Sequence, residues 1–404
     1  MRNASTANTG GGLLSQRHYL NRPASMRIVQ LTTDNREQLS CHSADTPHFG
    51  TAPEALLQGF SGMSDVEVHV ISCTTEPMTS PEKLAPNIWF HSIHVPKLGW
   101  GRSLFLGTAL ATRRLIKRLN PDIVHGQGTE RDCAMNAVLS GRPNILTIHG
   151  NMRVHATRAE QAGSTYYKLA AALETFCLKR TQGVVAISSY TEQLVTSVTP
   201  RTWPLPNAVD ERYFNIERAP SSIPTILFIG TINERKNPVG LIDACEPLLR
   251  SGKCKIHFAG DGDRHSPYWE QFSHRLQTIP GLELLGFISR EAIGLELARA
   301  TMVVLPTFED NCPMVVLESM AAGVAVSASR VGGVPDLIEH EIDGLMFEPS
   351  APHEIRGTVE RLIDDNELRE RLEAAAKAKA VARFHPKVIA RGHLEIYHDL
   401  LGIG

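Results

Sequence analysis

The stretch TMVVLPTFEDNCPMVVLESMAAG, Thr301 to Gly323, sets a β-branched apolar run, an acidic loop and an apolar helical segment end to end. TMVVLPT has the length and composition of a buried strand, and Phe308 to Asn311 form its exit loop. Pro313 suits the first turn of a helix that Gly323 closes, because proline is tolerated at the first helical position and glycine is favoured past the last. The unpaired N–H groups near Cys312, Met314 and Val315, together with the positive end of the helix dipole, make a place for a phosphate or diphosphate. Glu309 and Asp310 stand at its mouth, able to accept hydrogen bonds from ligand hydroxyls. Glu318 follows roughly 8 Å further along the axis at 1.5 Å per residue. A phosphate between hydroxyl-bearing ends is the layout of a nucleotide sugar. The plainer alternative leaves all three as ordinary helix charges, but Met314, Leu317, Ala321 and Ala322 surround Glu318 with apolar positions.

The same strand-then-helix unit recurs on both sides. RIVQLT, VEVHVIS, DIVHGQ, NILTIHG and GVVAIS precede it, and TILFIGT, KIHFAG, LELLGF and GVAVSAS share its half of the chain. Short β-branched runs separated by amphipathic segments indicate parallel strands joined by crossover helices. The prolines of WPLPNAVDERYF and the polar SSIP interrupt the series, which predicts two Rossmann-like domains, 26–206 and 207–384, facing across a deep cleft. Residues 1–25, rich in Gly, Ser, Thr and Asn, read as a flexible extension, and residues 385–404 as a last helix packing back on the first domain.

Composition bounds the function. A chain of 404 residues exceeds one core, and 41 basic against 43 acidic side chains give no footprint for nucleic acid. Seven scattered cysteines without a CxxC pair argue against a zinc site or disulfide framework. No apolar run is long enough to cross a bilayer and no secretory signal is evident. These features lead us to expect a cytoplasmic protein.

Ligands of open parallel sheets bind beyond the carboxyl ends of the strands, so strand exits name the remaining candidates. GTINERKN, Gly230 to Asn237, brings Arg235 and Lys236 to such an exit, where cations can neutralise a diphosphate leaving group; a solvated basic pair is the alternative. LTIHG brings His149 to another, either as a ligand-binding group or as a structural histidine. The helix ATRRLIKRLNP carries Arg113, Arg114, Lys117 and Arg118 around one polar side, which suits an anionic membrane or, more simply, a solvated crossover helix.

Together these segments resemble the retaining GT-B glycosyltransferases of family 4, the glycosyl transferases group 1, from Met26 onward. In that family two glutamates with seven residues between them close the donor site; Asp310 and Glu318 have this spacing, with aspartate, or Glu309 beside it, in the first position. The resemblance assigns Lys236 to the donor diphosphate, aided by Arg235 because Thr231 follows Gly230 where an arginine is usual. It sets Phe287 and Ile288 by the nucleobase, His149 by the donor sugar, and Phe49, Gly50 and Thr51 in the loop near the leaving phosphate and acceptor. Asn311, Cys312, Pro313, Met314 and Val315 belong to the donor site by the same likeness.

The resemblance implies transfer of a glycosyl group, with retention, from a nucleoside diphosphate sugar to an acceptor hydroxyl. The expected donor is UDP-linked, with GDP-mannose a second choice, and the acceptor a sugar, a lipid-linked glycan or a small molecule. Neither a cofactor nor a metal is expected. Competing readings are a sugar-nucleotide epimerase of the same fold and a non-catalytic sugar-nucleotide-binding protein. An oxidoreductase or kinase is disfavoured because no GxGxxG follows the first strand and no P-loop is present. Asp261-Gly262-Asp263 reads as a turn rather than a metal-binding pair.

Overall fold

The computed structural model describes residues 25–157 and 164–403; the expected extension, but for Ser25, lies outside the described residues. Two sheets carry the architecture. The first contains β1 (Met26–Leu31), β2 (Val66–Thr74), β3 (Lys83–Ala85), β4 (Ile88–His94), β5 (Ile123–Gln127), β6 (Asn144–Thr147), β7 (Val184–Ala186) and β8 (Thr202–Pro204), in the order 3-4-2-1-5-6-7-8. Among the described residues only the β3–β4 pair is antiparallel. In register, Ile28 lies between Val68 and Ile123. The second sheet contains β9 (Thr225–Ile229), β10 (Lys255–Ala259), β11 (Leu282–Gly286), β12 (Met302–Leu305), β13 (Ala325–Ser329) and β14 (Leu345–Phe347), all parallel, in the order 11-10-9-12-13-14.

Central strands such as β5, β12 and β13 are buried along their whole length. Helices cover both faces, so neither face needs polar residues, and the strands read as continuous apolar runs. Four strands lie outside the runs that the sequence reading picked out. β3, β8 and β14 have three residues each, too few for a pattern. β4 alternates buried and partly exposed residues, as a strand near a sheet margin does.

In both sheets the chain order reverses beside the first strand, between β1 and β5 and between β9 and β12. The exit loops of these strands therefore flank the crevice where ligands bind. The helix Pro386–Leu401 reaches back across it. Ile389, Ala390, Ile396 and Tyr397 join the first domain's core beside Phe49, Leu56 and Phe60, each large side chain contributing roughly 1.5–3 kcal/mol by burial. Gly59, on the helix Thr51–Phe60, makes the contact possible, because a Cβ there would stand 2.1 Å from the Pro386 carbonyl oxygen. All seven cysteines are free thiols. Among the described residues no helix is long and apolar enough to cross a membrane.

Candidate active site

The second domain's half of the site consists of two strand exits holding each other. After β9 the chain turns through Gly230; the neighbouring exit passes so close that a Cβ on Gly260 would be 1.9 Å from the Gly230 carbonyl oxygen. The carbonyl of Arg235 then accepts hydrogen bonds from the amide of Phe308 (2.8 Å) and the hydroxyl of Thr307 (3.0 Å). In return the Arg235 guanidinium donates to the carbonyl of Glu309 at 2.9 Å. Lys236 is ion-paired with Asp310. The basic and acidic segments are thus one unit. Asp310 is already neutralised by Lys236 and is not a free acceptor at the mouth, and Glu309 accepts from the Tyr190 hydroxyl of the first domain at 3.3 Å.

Behind this loop Gly332 and Gly333 leave room for it: a Cβ on either would lie 1.9 Å from the carbonyl oxygen of Asp310 or Asn311 respectively. The helix Met314–Ala322 starts one residue later than expected, with Pro313 as its N-cap, and ends at Gly323 with φ 68°. No side chain caps its start. Its first amides, those of Met314 and Val315, have no partner inside the helix, and Met314 borders the cleft.

The first domain supplies His149 at the exit of β6. Its Nε2 lies 3.0 Å from Oε1 of Gln127, which donates to Gln30 at 2.9 Å, and Gln30 donates to the Tyr397 hydroxyl at 3.0 Å. Burial, and then the charge of nearby His393, push the His149 imidazole down to about 4. It is therefore neutral at neutral pH. Asn311 crosses the cleft to reach this loop: its amide nitrogen donates to the His149 carbonyl at 3.0 Å, while its oxygen accepts from the hydroxyls of Ser188 (2.5 Å) and Thr191. Asp336 accepts from the amide and hydroxyl of Ser189 at 2.5 and 2.8 Å. Arg290 donates to Glu54 at 2.5 Å and to the Phe49 carbonyl at 2.8 Å.

Glu318 is 5% exposed. Burial raises its carboxyl to about 7, against the lowering effect of Arg290 and Arg212 and with Asp210 adding to the rise. A carboxyl held near neutrality by desolvation beside cations is common at functional sites.

Between the domains lies a cleft of about 330 Å³, lined by Gly50, Thr51, Gln127 and His149 on one side and Asp310, Asn311, Cys312 and Met314 on the other. Seven of the expected residues thus meet: Gly50, Thr51, His149, Asp310, Asn311, Cys312 and Met314. Lys236 joins them through Asp310. Others do not reach this space. The Phe49 ring is buried against Phe90, centroids 5.7 Å apart, and its carbonyl accepts from Arg290. The Val315 side chain is buried in the core, which leaves its amide at the helix start; Phe287 is 79% exposed beyond β11, and Ile288 packs on the second domain's core.

The sequence reading missed Thr32, Thr33, Asn35, Gln127, Ile187 and Asn207, which line the same cleft. Thr32 and Gln127 stand at the ends of RIVQLT and DIVHGQ, so the strand-exit rule that selected His149 would have selected them. Asn35 sits between the two partners of an ion pair, Asp34 and Arg36 at 2.7 Å, whose complete burial no local pattern announces. Arg36 also donates to the carbonyls of Ala44 and Thr79 at 2.7 Å, holding the β1 exit loop in shape. Asp261 and Asp263 accept from the amides of Gly262 (2.9 Å) and His265 (3.0 Å), as the residues of a turn do.

Two facing sheets, parallel but for one edge pair, with ligand loops at their switch points and a last helix crossing back, define the GT-B class. Residues 209–379 match the family described as Glycosyl transferases group 1, and residues 55–213 match Glycosyltransferase Family 4. The chain belongs to these group 1, family 4 glycosyltransferases. It is 31% identical over 172 residues to an uncharacterized glycosyltransferase of Methanocaldococcus jannaschii, covering 43% of this chain and 44% of the relative. It is 33% identical over 178 residues to the alpha-D-kanosaminyltransferase of Streptomyces kanamyceticus, covering 44% and 46%. The chain therefore spans under half the length of these two relatives. A second M. jannaschii glycosyltransferase, also uncharacterized, aligns at 23% identity over 342 residues, 84% of this chain and 91% of the relative. Among solved structures, the sucrose-phosphate synthase of Thermosynechococcus elongatus superposes with a TM-score of 0.73 at 18% identity, covering 94% of this chain and 100% of that one. Anabaena HepE in complex with UDP-glucose superposes with a TM-score of 0.68 at 16% identity, covering 93% and 100%. These likenesses establish the fold.

Proposed function

We propose that the protein transfers a glycosyl group from a nucleoside diphosphate sugar, UDP-linked by preference, to an acceptor hydroxyl with retention of configuration. One observation carries this reading: Asp310, ion-paired with Lys236, and an uncapped helix start face the neutral His149 across a single cleft. The diphosphate sits against the amides of Met314 and Val315 with Lys236 beside it, and these groups take up the charge that develops as the anomeric carbon–oxygen bond breaks. The acceptor oxygen bonds to the anomeric carbon from the same face, and its proton passes to the departing phosphate oxygen. His149 stays uncharged and donates or accepts a hydrogen bond at the sugar. The protein supplies the positive field, so the reaction proceeds without a metal ion. A UDP-glucose complex of HepE, a protein of the same fold, supports the choice of donor class.

The test is binding and slow hydrolysis of UDP-, GDP- and ADP-sugars by the wild type, Lys236→Ala and Glu318→Ala, with and without a chelator. One donor bound by the wild type and lost in both variants is the expected result. Isomerised donor formed without any acceptor would instead identify an epimerase, and binding without turnover a sugar-nucleotide-binding protein.

A further inference from the structure

The crossover between β4 and β5 has an unusual surface. It passes through two short turns, Lys97–Gly99 and Gly101–Ser103, into the helix Leu106–Leu119. Leu104 and Phe105, at the junction, have φ of 54° and 63°, a left-handed conformation that residues with a Cβ adopt at a cost. This backbone sorts the side chains. Phe105 turns inward, its ring 6.5 Å from and edge-on to the buried Trp100. Leu104 turns outward and is 41% exposed, beside Leu98 at 71%, Leu106 at 50% and Leu110 at 58%. The Leu98 turn sits directly on the start of the helix, since a Cβ on Gly107 would lie 2.3 Å from the Cα of Gly99.

Along the helix Leu106, Leu110, Arg113 and Lys117 are all exposed. Their spacing of i, i+4, i+7 and i+11 puts them in one stripe, apolar at its start and basic at its end. The exposed Arg114 and Arg118 flank it. From Lys83 to Pro121 the sequence contains no aspartate or glutamate. A solvated crossover helix accounts for the basic residues but not for four exposed leucines grouped together, one of them, Leu104, on a left-handed backbone. Two such basic stripes would repel each other, which disfavours a second copy as the occupant.

We propose that this surface docks on an anionic phospholipid bilayer, with Leu98, Leu104, Leu106 and Leu110 entering the interface and the basic stripe lying against lipid phosphates. Because the turns and the helix start pack together just past the carboxyl end of β4, the Trp100 indole donating to the Val95 carbonyl at 2.8 Å and Gly107 lying against Gly99, the apolar end of the helix lies on the cleft side of the first sheet. Docking therefore brings the cleft close to the bilayer. The inference stands independently of the reaction proposed above.

The full chain is sedimented with vesicles of phosphatidylcholine alone or with phosphatidylglycerol, at low and high salt. Binding to the anionic vesicles only, weakened by salt, is expected. A near-surface cation contributes roughly fivefold to partitioning, so Arg113→Gln with Lys117→Gln lowers it roughly 25-fold. Leu98→Gln, at a highly exposed turn where folding is not at stake, lowers binding to anionic vesicles severalfold. Circular dichroism verifies that the variants are folded. No binding by the wild type overturns the proposal, as does binding that neither the charge nor the leucine variants change. A concentration-dependent dimer lost on Leu98→Gln, with no vesicle binding, would assign the surface to a second copy instead.

Discussion

Lys236 and Asp310, from the exits of two adjacent strands and 74 residues apart in sequence, form an ion pair at the rim of the cleft. A diphosphate entering at the start of the helix Met314–Ala322 competes with Asp310 for the lysine. Lys236→Ala should weaken binding of the preferred nucleoside diphosphate by roughly ten- to a hundredfold, the range for a lost charge-assisted hydrogen bond. Asp310→Asn should leave that binding equal or tighter while turnover falls. Calorimetric titration with UDP, GDP and ADP measures both, and unchanged affinity in Lys236→Ala removes the lysine from the diphosphate site.

Glu318 is predicted to trade stability for function. Its folded pKa of about 7 lies above the ordinary carboxyl value of 4.5, so the folded state binds the proton more tightly than the unfolded chain. The resulting stability is fully present below about pH 4.5 and is lost as the pH rises through 7. Glu318→Gln removes that loss and should stabilise the protein at about pH 8 by roughly 2–3 kcal/mol, with no gain near pH 4.5, while donor binding or turnover drops. Urea unfolding at the two pH values decides it; equal stability of variant and wild type at high pH would refute the burial argument.

The buried histidines set the acid limit. His149 and His393 are both pushed down to about 4 by burial, and His125 well below its ordinary value of 6.5 for the same reason. The unfolded chain takes up protons below 6.5 that the folded chain refuses, so stability is lost as the pH falls from 6.5 toward 4. Near pH 5 His149 and His393 each cost about 2 kcal/mol. His393→Leu should flatten this decline, and its unpartnered Nε2 makes the change tolerable. A decline as steep in the variant as in the wild type would exclude His393 as a source.

Asn311 fastens the domains by bonds to Ser188, Thr191 and the His149 carbonyl. Asn311→Ala removes them, and small-angle scattering should show a larger radius of gyration for the variant. Donor turnover should fall at the same time because His149 no longer faces the helix start. An unchanged scattering profile would mean that Arg290, through Glu54 and Phe49, holds the domains without Asn311.

How much was legible follows from the range of each signal. The strand β12 and its helix stand where the opening stretch put them, because β-branched apolar runs, a proline at a helix start and a glycine after its end act within a few residues. Pro313 was misplaced by one position, within the ordinary uncertainty of helix ends. β3, β8 and β14, three residues each, carry no period and are created by their neighbours in the sheet. His149 emerged from the strand-exit rule, Met314 from the free amides at a helix start and Asn311 from the family likeness, whereas Thr32 and Gln127 obeyed the strand-exit rule and were passed over. Phe49 was selected as a loop residue, but its ring pairs with Phe90 in the core, a contact across the sheet that the local stretch does not contain.

By itself the sequence determined two parallel α/β domains, a helix start aimed at a cleft, and the residue types available there, since hydrophobic period and capping chemistry are local. Only the tertiary structure decided what those residues do to each other. It joined Lys236 to Asp310, brought Asn311 to the His149 loop, and set Glu318 among Arg290, Arg212 and Asp210. Those outcomes depend on distance and desolvation, and both are set by segments remote in sequence that fold against the site.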